Sequence, residues 1–382
     1  MTQLVTFAKL KLIKMKILVN TLRWLVGLLF IFSGLIKVND PSGLSYKMQE
    51  FFEVWGIHWM NPFSMALAIF MNICEVVAGV GLILGVSKKF FSGFLLLLII
   101  FFTFLTSYVL FSGKITACGC LGDCIPLTPI QTFGKDVILT IMALIIYLKR
   151  NYIEPFAPKI ATSLILGLSL IGSFLTQLYV LDKLPFIDCL PYKTGNNLLE
   201  QMKKPAAATD DEFAYVFEYK KEGKTIEYTD ATLPENLDST YEFVGRKEKL
   251  VKKGNGLKAK IVDFTLKTNS GNDSTQAILH STGKYVFILM KEFPDHSHTL
   301  DKRLDEKILK QLEAKNIPVY VVTADAVNAP DFKQKNVMVL SCDATVIKTA
   351  ARVNPTYFVM NGANILAKYS YSNANKIFNF LP

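Results

Sequence analysis

The sequence predicts an α-helical polytopic membrane bundle, with a four-helix core plus a fifth span, followed by an extracytoplasmic α/β domain. The chain has 382 residues, 51% of them hydrophobic, and a positive mean hydropathy. Such a chain is too apolar to be wholly soluble. The apolar excess lies before residue 182, whereas charged residues recur regularly after it. The net charge of +10 is spread through both halves, which argues against a nucleic-acid-binding patch.

Five apolar runs are long enough to cross a bilayer, which takes about 20 residues in a helix. They are Ile17 to Val38, Pro62 to Val86, Phe90 to Phe111, Ile130 to Leu148, and Ile160 to Leu181. The fourth is the weakest, because it contains Lys135 and Asp136 one turn inside its outer end. The first is too long for a signal peptide and lacks a small-residue cleavage site. We therefore expect a bundle over residues 17–150 and a fifth helix over residues 160–181.

Lysine and arginine in short loops predict the orientation, since such loops stay in the cytoplasm. Basic clusters fall within residues 9–16, 88–89 and 149–159, all on one side of a five-span arrangement. Residues 1–16 then form a cytoplasmic N-terminus, and the chain after Asp182 lies outside. We expect a bacterial inner-membrane protein whose C-terminal domain is periplasmic.

The cysteines concentrate on the predicted outer side. Cys118, Cys120 and Cys124 share the loop between the third and fourth spans, and Cys189 follows the fifth. A disulfide across one residue is strained, which raises its reduction potential, and Gly119 tolerates the tight turn it needs. We predict a redox-active Cys118–Cys120 pair, with Cys124 or Cys189 as the resolving partner in an oxidising compartment.

Two other interpretations of the same cysteines stay open. The loop could be stapled by an inert disulfide, or its three cysteines could bind a structural zinc ion with Cys189 or Asp123 as the fourth ligand. Cys74 in the second span and Cys342 in the C-terminal half are predicted to be packed as small hydrophobic residues.

Two ionisable residues lie within the predicted spans. Glu75 is near the middle of the second span, where a charge is costly and often functional. It could relay protons released by thiol oxidation, but a hydrogen bond to a neighbouring helix is the favoured role. Lys37 lies near the outer end of the first span, where we expect its side chain to reach the headgroups.

The segments RWLVGLLFIFSGLIKVNDP and CGCLGDCIPLTPIQTFGKDVIL resemble the MauE/DoxX/DoxD family of redox-associated membrane proteins, over residues 17–150. The resemblance implies a four-helix membrane core and a role in thiol–disulfide handling; MauE itself is linked to disulfide maturation of a periplasmic dehydrogenase subunit. Leu121 stands where the family pattern leads us to expect an aromatic residue. Nothing else in the chain indicates methylamine chemistry. The matching positions are Cys118, Gly119, Cys120, Gly122, Asp123, Ser33, Gly34 and Lys37.

The sequence after the five spans shows two different patterns. Residues 182–256 begin with a linker rich in turn residues and continue with alternating strands, including a hairpin before GKTIEY. From residue 257, a strand at YVFILM, a helix over residues 296–315 and a strand at IPVYVVTAD predict a parallel pair with a crossover. A helix over residues 344–351 leads to two strands joined at Asn361 and Gly362.

This order resembles a thioredoxin-like domain over residues 257–382. Asn354-Pro355-Thr356 matches the cis-proline segment of that family, which implies that Pro355 faces the active site. A thioredoxin has Cys-x-x-Cys after the first of these strands, whereas this chain has KEFPDHSH. The domain is therefore expected to bind or dock rather than to catalyse. His296 and His298 could bind a metal, but solvated side chains are the favoured interpretation.

The leading hypothesis is a membrane component of thiol–disulfide exchange or disulfide maturation of envelope proteins. Its partners would be the lipid bilayer and a periplasmic thiol protein or partner oxidoreductase, with no nucleic acid. No residue pattern identifies a cofactor, and a quinone is a conjectural electron acceptor. The alternative is a non-enzymatic membrane scaffold with a partner-binding domain; a transporter is disfavoured because no inverted repeats occur.

Overall fold

A computed structural model describes residues 2–382 apart from 116–118, 210–211, 231, 235–236, 253, 255 and 294–303, with side chains described from residue 12 onward. The chain divides into two compact units. One combines residues 1–195 with residues 265–382, and the other comprises residues 196–264.

Six helices form the first part of the larger unit, here called the membrane bundle. They are α1 (Thr2–Asn39), α2 (Pro41–Val54), α3 (Ser64–Leu84), α4 (Lys88–Ser112), α5 (Pro129–Leu148) and α6 (Lys159–Lys183). All except α2 are long and apolar enough to cross a membrane, and a short 3₁₀ turn at His58–Phe63 extends the span of α3. The five predicted spans are confirmed.

Local sequence signals set the ends of these helices. Thr128 and Gln131 form a reciprocal capping box at the start of α5. Gly85 ends α3 in a left-handed conformation. Helix α2 was not predicted; it begins where the Asp40 side chain accepts a hydrogen bond from the Gly43 backbone. Small residues let α1 and α3 pack closely, as a Cβ added to Gly27 would lie 2.5 Å from the Ile83 side chain.

The smaller unit contains one helical turn and an antiparallel sheet. Its elements are α7 (Leu198–Met202), β1 (Glu212–Lys221), β2 (Lys224–Thr229) and β3 (Glu242–Lys252), with strand order β2-β1-β3. Glu222 and Gly223 both have positive φ, as a two-residue hairpin turn requires. The predicted hairpin before GKTIEY is confirmed, whereas α7 lies in the stretch predicted to be a linker.

Residues 265–382, here called the sheet domain, complete the larger unit. They contain α8 (Thr275–Leu279), β4 (Lys284–Met290), α9 (Glu306–Ala314), β5 (Val319–Thr323), β6 (Val337–Ser341), α10 (Ala344–Ala350), β7 (Thr356–Asn361) and β8 (Asn364–Ser370). The strand order is β6-β5-β4-β7-β8; β4, β5 and β6 are mutually parallel, and β7 is antiparallel to β4 and β8.

Most of the predicted elements in the sheet domain are present. The parallel pairing of β4 with β5 confirms the predicted crossover, and Leu309 and Leu312 of α9 are fully buried against the sheet. The short strand β6 was missed. The turn between β7 and β8 is at Gly362 and Ala363, one residue later than predicted, because Asn361 still pairs with Asn364. The first part of the helix predicted over residues 296–315 lies outside the described residues.

Candidate functional site at the cysteine loop

The loop between α4 and α5, residues 113–128, is here called the cysteine loop. Cys120 lies in it with 6% of its surface exposed and packs into the hydrophobic core of the bundle. Gly119 and Gly122 both have positive φ, of 73° and 59°, which only glycine adopts without strain. The Gly122 amide donates to the Gly119 carbonyl at 3.0 Å. Cys118 lies outside the described residues.

Cys124 at the end of this turn is disulfide-bonded to Cys189, which follows α6 and is 65 residues away in sequence. A zinc ion binds thiolates, which a disulfide does not provide. The pairing therefore disagrees with the zinc interpretation. In the part of the chain that the structure describes, no group of three or more His, Cys, Asp or Glu residues is arranged to hold a metal ion.

A buried ion pair lies next to Cys120 inside the bundle. Lys37 Nζ is 2.5 Å from Glu75 Oε1, and their side chains are 2% and 1% exposed. The Lys37 ammonium also lies 4.5 Å from the centre of the Phe102 ring, a favourable cation–π distance. The prediction that Lys37 reaches the headgroups is wrong, because a buried carboxylate on the facing helix attracts it inward.

Ser33 links this ion pair to the cysteine loop. Its hydroxyl lies 3.1 Å from Glu75 Oε2 and 3.0 Å from the Cys120 carbonyl oxygen. The single hydroxyl proton serves one acceptor at a time. The predicted hydrogen-bonding role of Glu75 is thus present, and it involves both a neighbouring helix and, through Ser33, the backbone at Cys120.

A cavity of about 90 Å³ adjoins these groups, which is room for a few water molecules. Asp136 is 1% exposed and accepts from Lys135 through one carboxylate oxygen, 2.5 Å away. Its other oxygen has no hydrogen-bond partner among the described residues. Leu29 and Phe32 of α1 also line the cavity and are 41% and 50% exposed. The polar residues lining it are Ser33, Lys37, Glu75, Lys135 and Asp136.

The sheet domain contacts the bundle through buried cations. Arg352, after α10, lies 2.9 Å from an Asp40 carboxylate oxygen and 2.6 Å from one of Asp123. Lys368 on β8 lies 2.8 Å from Asp188. Burial alone would lower the pKa of Arg352, but the carboxylates of Asp40 and Asp123 outweigh it and raise that pKa. For Lys368 burial outweighs the Asp188 carboxylate, and its pKa is lowered.

The end of β4, where a thioredoxin would carry its thiols, holds a lysine. The Lys291 amide donates to the Asn354 side chain at 2.9 Å, and its ammonium donates to the Arg352 carbonyl at 2.8 Å. That ammonium lies 5.4 Å from the ring centre of Tyr46 on α2. Burial, reinforced by the Arg352 charge, lowers the pKa of Lys291 to about 7. Pro355 is buried and follows a cis peptide bond, as predicted.

The remaining site predictions have separate outcomes. Burial raises the pKa of the Cys342 thiol to about 11, which keeps it protonated near neutral pH and agrees with a packing role. Cys74 is half-buried and packs against the bundle core. His296 and His298 lie outside the described residues.

Sequence reasoning missed the cations that hold the sheet domain. Of their partners, only Asp123 was singled out, whereas Arg352 and Lys368 were not. One signal was available, because an aspartate directly precedes the cysteine in both Asp123-Cys124 and Asp188-Cys189.

Comparisons with known proteins match one family model to the membrane bundle and another to the smaller unit. The family model described as Methylamine utilisation protein MauE matches residues 15–149, and Domain of unknown function (DUF8463) matches residues 213–253. Protein TlpB of Flavobacterium psychrophilum is 32% identical over 145 residues, which are 36% of this chain and 37% of that protein. The match thus spans little more than a third of the relative's length. No solved structure matches. The chain is a membrane protein whose first four spans and cysteine loop are similar to MauE.

Proposed function

We propose that this protein exchanges thiols and disulfides at the cysteine loop, with Cys118 and Cys120 as the exchanging pair. One observation carries the proposal: the loop holds Cys120 against a small cavity that Lys37 and Glu75 also line and, four residues later, carries the Cys124–Cys189 disulfide. Exchange with a client and exchange with the Cys124–Cys189 disulfide can therefore follow one another within this short segment. The basic clusters support an arrangement with this loop on the periplasmic side of a bacterial inner membrane.

The exchange balances without any other reactant. A thiolate of a client dithiol attacks one sulfur of an oxidised Cys118–Cys120 pair, forms a mixed disulfide and releases the other cysteine as a thiolate. The second client thiol then breaks the mixed disulfide, so the client leaves oxidised and the pair is reduced. The same two steps pass the electrons on to Cys124–Cys189, which becomes two thiols.

The buried Lys37–Glu75 ion pair would position the Cys118–Cys120 pair rather than take part in the reaction. Glu75 and the Cys120 carbonyl both lie within hydrogen-bonding distance of the Ser33 hydroxyl, so Ser33 can hold the backbone of the exchanging residue beside the ion pair. Lys37 compensates the charge of Glu75 in an apolar environment. Cys120 would thereby be held in one orientation toward the cavity.

A membrane quinone is the acceptor that we propose for repeated turnover, because it takes up the two electrons and two protons that two thiols release on forming a disulfide. The cavity of about 90 Å³ is too small to enclose a quinone ring, so the ring would have to bind at the membrane-facing edge of the cavity. Leu29 and Phe32 are exposed on a membrane-spanning helix at that edge, and the partly exposed Lys135 ammonium would donate to a quinone carbonyl oxygen there. Binding of a soluble quinone analogue, measured by calorimetry, should weaken in Lys135→Met.

The sheet domain supports a partner-docking role. Its strand order and the cis bond before Pro355 are those expected of a thioredoxin-like fold. The end of its first parallel strand carries Lys291 instead of a thiol. Its contacts with Asp40 and Asp123 support docking of the domain first on the cysteine loop of its own chain.

Thiol trapping tests the proposed exchange. In cells, Cys120→Ser should accumulate a mixed disulfide through Cys118, and the double variant Cys118→Ser/Cys120→Ser should lose it. Cys342→Ser is the matched control, since it removes a buried thiol elsewhere. If the pair stays oxidised in every redox buffer and no mixed disulfide forms, the protein is a scaffold whose loop cysteines are structural.

A further inference from the structure

The residues that precede Cys124 and Cys189 share a feature that the exchange reaction does not use. Asp123 pairs with Arg352, and Asp188 pairs with Lys368. Both cations belong to the sheet domain, and both side chains are only 4% exposed. Each half of the disulfide is therefore attached, one residue away, to the same domain.

We infer that the Cys124–Cys189 disulfide is a redox-controlled latch: when it is intact the sheet domain is docked on the cysteine loop, and its reduction releases the domain. The inference rests on the proposed function only in taking the Cys118–Cys120 pair as the reductant inside the chain. The docking contacts themselves are independent of that assignment.

The disulfide joins the two segments that carry the Asp123 and Asp188 carboxylates. It brings the Cα atoms of Cys124 and Cys189 to 4.8 Å across a separation of 65 residues. Without the bond, the cysteine loop and the segment after α6 regain independent freedom, and the entropy of holding both partners in register must be overcome again. Docking to two points that are already joined costs less entropy than docking to two separate points.

The buried cations make the docked state sensitive to this loss of register. A guanidinium or ammonium that is out of water must keep its carboxylate partner. Arg352 also pairs with Asp40 at the start of α2, so a displaced Asp123 leaves it with one carboxylate instead of two. The partners Asp123 and Asp188 are 47% and 24% exposed, and water can solvate them once the domain leaves.

A second set of contacts would keep the released domain attached. The Tyr371 and Ser372 hydroxyls donate to Asp182 at 2.5 and 2.8 Å, near the end of α6. These contacts involve neither cysteine of the disulfide. They lie directly after the last residue of β8, at the opposite end of the strand from Asn364. Opening would therefore free Asp123 and the face around Lys291 while the domain stays tethered at α6.

The chemical step is an ordinary exchange. A thiolate attacks one sulfur of Cys124–Cys189, forms a mixed disulfide and frees the other cysteine as a thiolate, which takes up a proton. A second thiol then resolves the mixed disulfide. Two thiols on the protein and one disulfide on the reductant result. The opened state would offer both new thiols to a partner disulfide.

Amide hydrogen exchange on the full chain in nanodiscs tests the latch. Addition of a dithiol reductant should speed exchange by about tenfold or more in the peptides over residues 344–353 and 119–125, because these amides exchange through local opening. The peptide over β5 should not change. The variant Cys124→Ser/Cys189→Ser should exchange fast with and without reductant. Equal exchange in the oxidised and reduced proteins would overturn the inference.

Charge variants separate the latch from general unfolding. Arg352→Met should open the same peptides with the disulfide intact, whereas Lys310→Met, which changes an exposed lysine on α9, should not. If Arg352→Met fails to fold, the reductant experiment on the natural sequence still decides. Opening by the reductant together with no mixed disulfide at Cys118 would refute the proposed exchange alone; mixed disulfides without opening would refute the latch alone.

Discussion

Two sets of buried charges in this protein differ in what surrounds them. The Lys37–Glu75 pair joins two membrane-spanning helices, and neither side chain is more than 2% exposed. Arg352 and Lys368 are similarly buried, but their carboxylate partners are 19% to 47% exposed. The first pair has no bulk water to separate into, whereas the carboxylates of the second set do. A fixed site inside the bundle and a detachable domain outside it follow from this difference.

The largest effect is expected from breaking the inner pair. Glu75→Gln leaves the Lys37 ammonium buried without its carboxylate, and removing one partner of a buried pair typically costs about 3–5 kcal/mol. The free energy of unfolding, measured by denaturant titration in detergent micelles, should fall by that amount.

A double variant sharpens this prediction. Lys37→Met/Glu75→Leu removes both charges, and replacing a whole buried pair by apolar residues is often neutral or stabilising. Most of the lost stability should therefore return. If Glu75→Gln unfolds at the same denaturant concentration as the natural protein, the pair is not a buried charge pair in the membrane.

The sequence could predict what depends on local pattern. Five spans follow from the length of apolar runs, and the β1–β2 hairpin follows from its turn residues. The half-polar helix α2 has neither signal and was missed. The orientation of Lys37 was predicted wrongly, because hydropathy does not distinguish a face turned to lipid from a face turned to Glu75.

The contacts of the sheet domain were beyond sequence reasoning for a different reason. Arg352 and Asp123 are 229 residues apart, and their pairing depends on how the sheet domain packs against the bundle. Cys124 and Cys189 were both proposed as partners of the redox pair, but their bond to each other depends on where the segment after α6 returns. Such long-range pairings carry no local periodicity.

The second-largest expected effect is a pH dependence of stability. It distinguishes the charges of the sheet domain from the Lys37–Glu75 pair. The pKa of Lys291 is lowered from 10.5 to about 7 in the folded protein, so above pH 7 the opened or unfolded state binds more protons than the folded one. Stability of the docked domain should therefore increase as pH rises from about 7 toward 10, by up to about 1.4 kcal/mol per pH unit.

Limited proteolysis between pH 7 and pH 9 measures this slope, with the protease activity calibrated at each pH on an unfolded substrate. Lys291→Met should flatten it, and Lys310→Met, which changes an exposed lysine on α9, should not. A slope of zero in the natural protein would mean that Lys291 keeps its proton in the docked state over this pH range. The bundle itself should show no such dependence on Lys291.

The smallest effect is expected at the partly exposed ion pair between Lys47 and Glu50 on α2, 2.7 Å apart with side chains 27% and 35% exposed. Water screens this pair, so Glu50→Gln should lower the free energy of unfolding by no more than about 0.5 kcal/mol. Denaturant titration in the same detergent allows direct comparison with Glu75→Gln, which changes the same chemical group. Because the two substitutions differ mainly in burial, a loss at Glu50 as large as that at Glu75 would show that burial does not set the strength of these pairs. A small loss at Glu50 and a large one at Glu75 would assign the difference to the absence of water around the inner carboxylate.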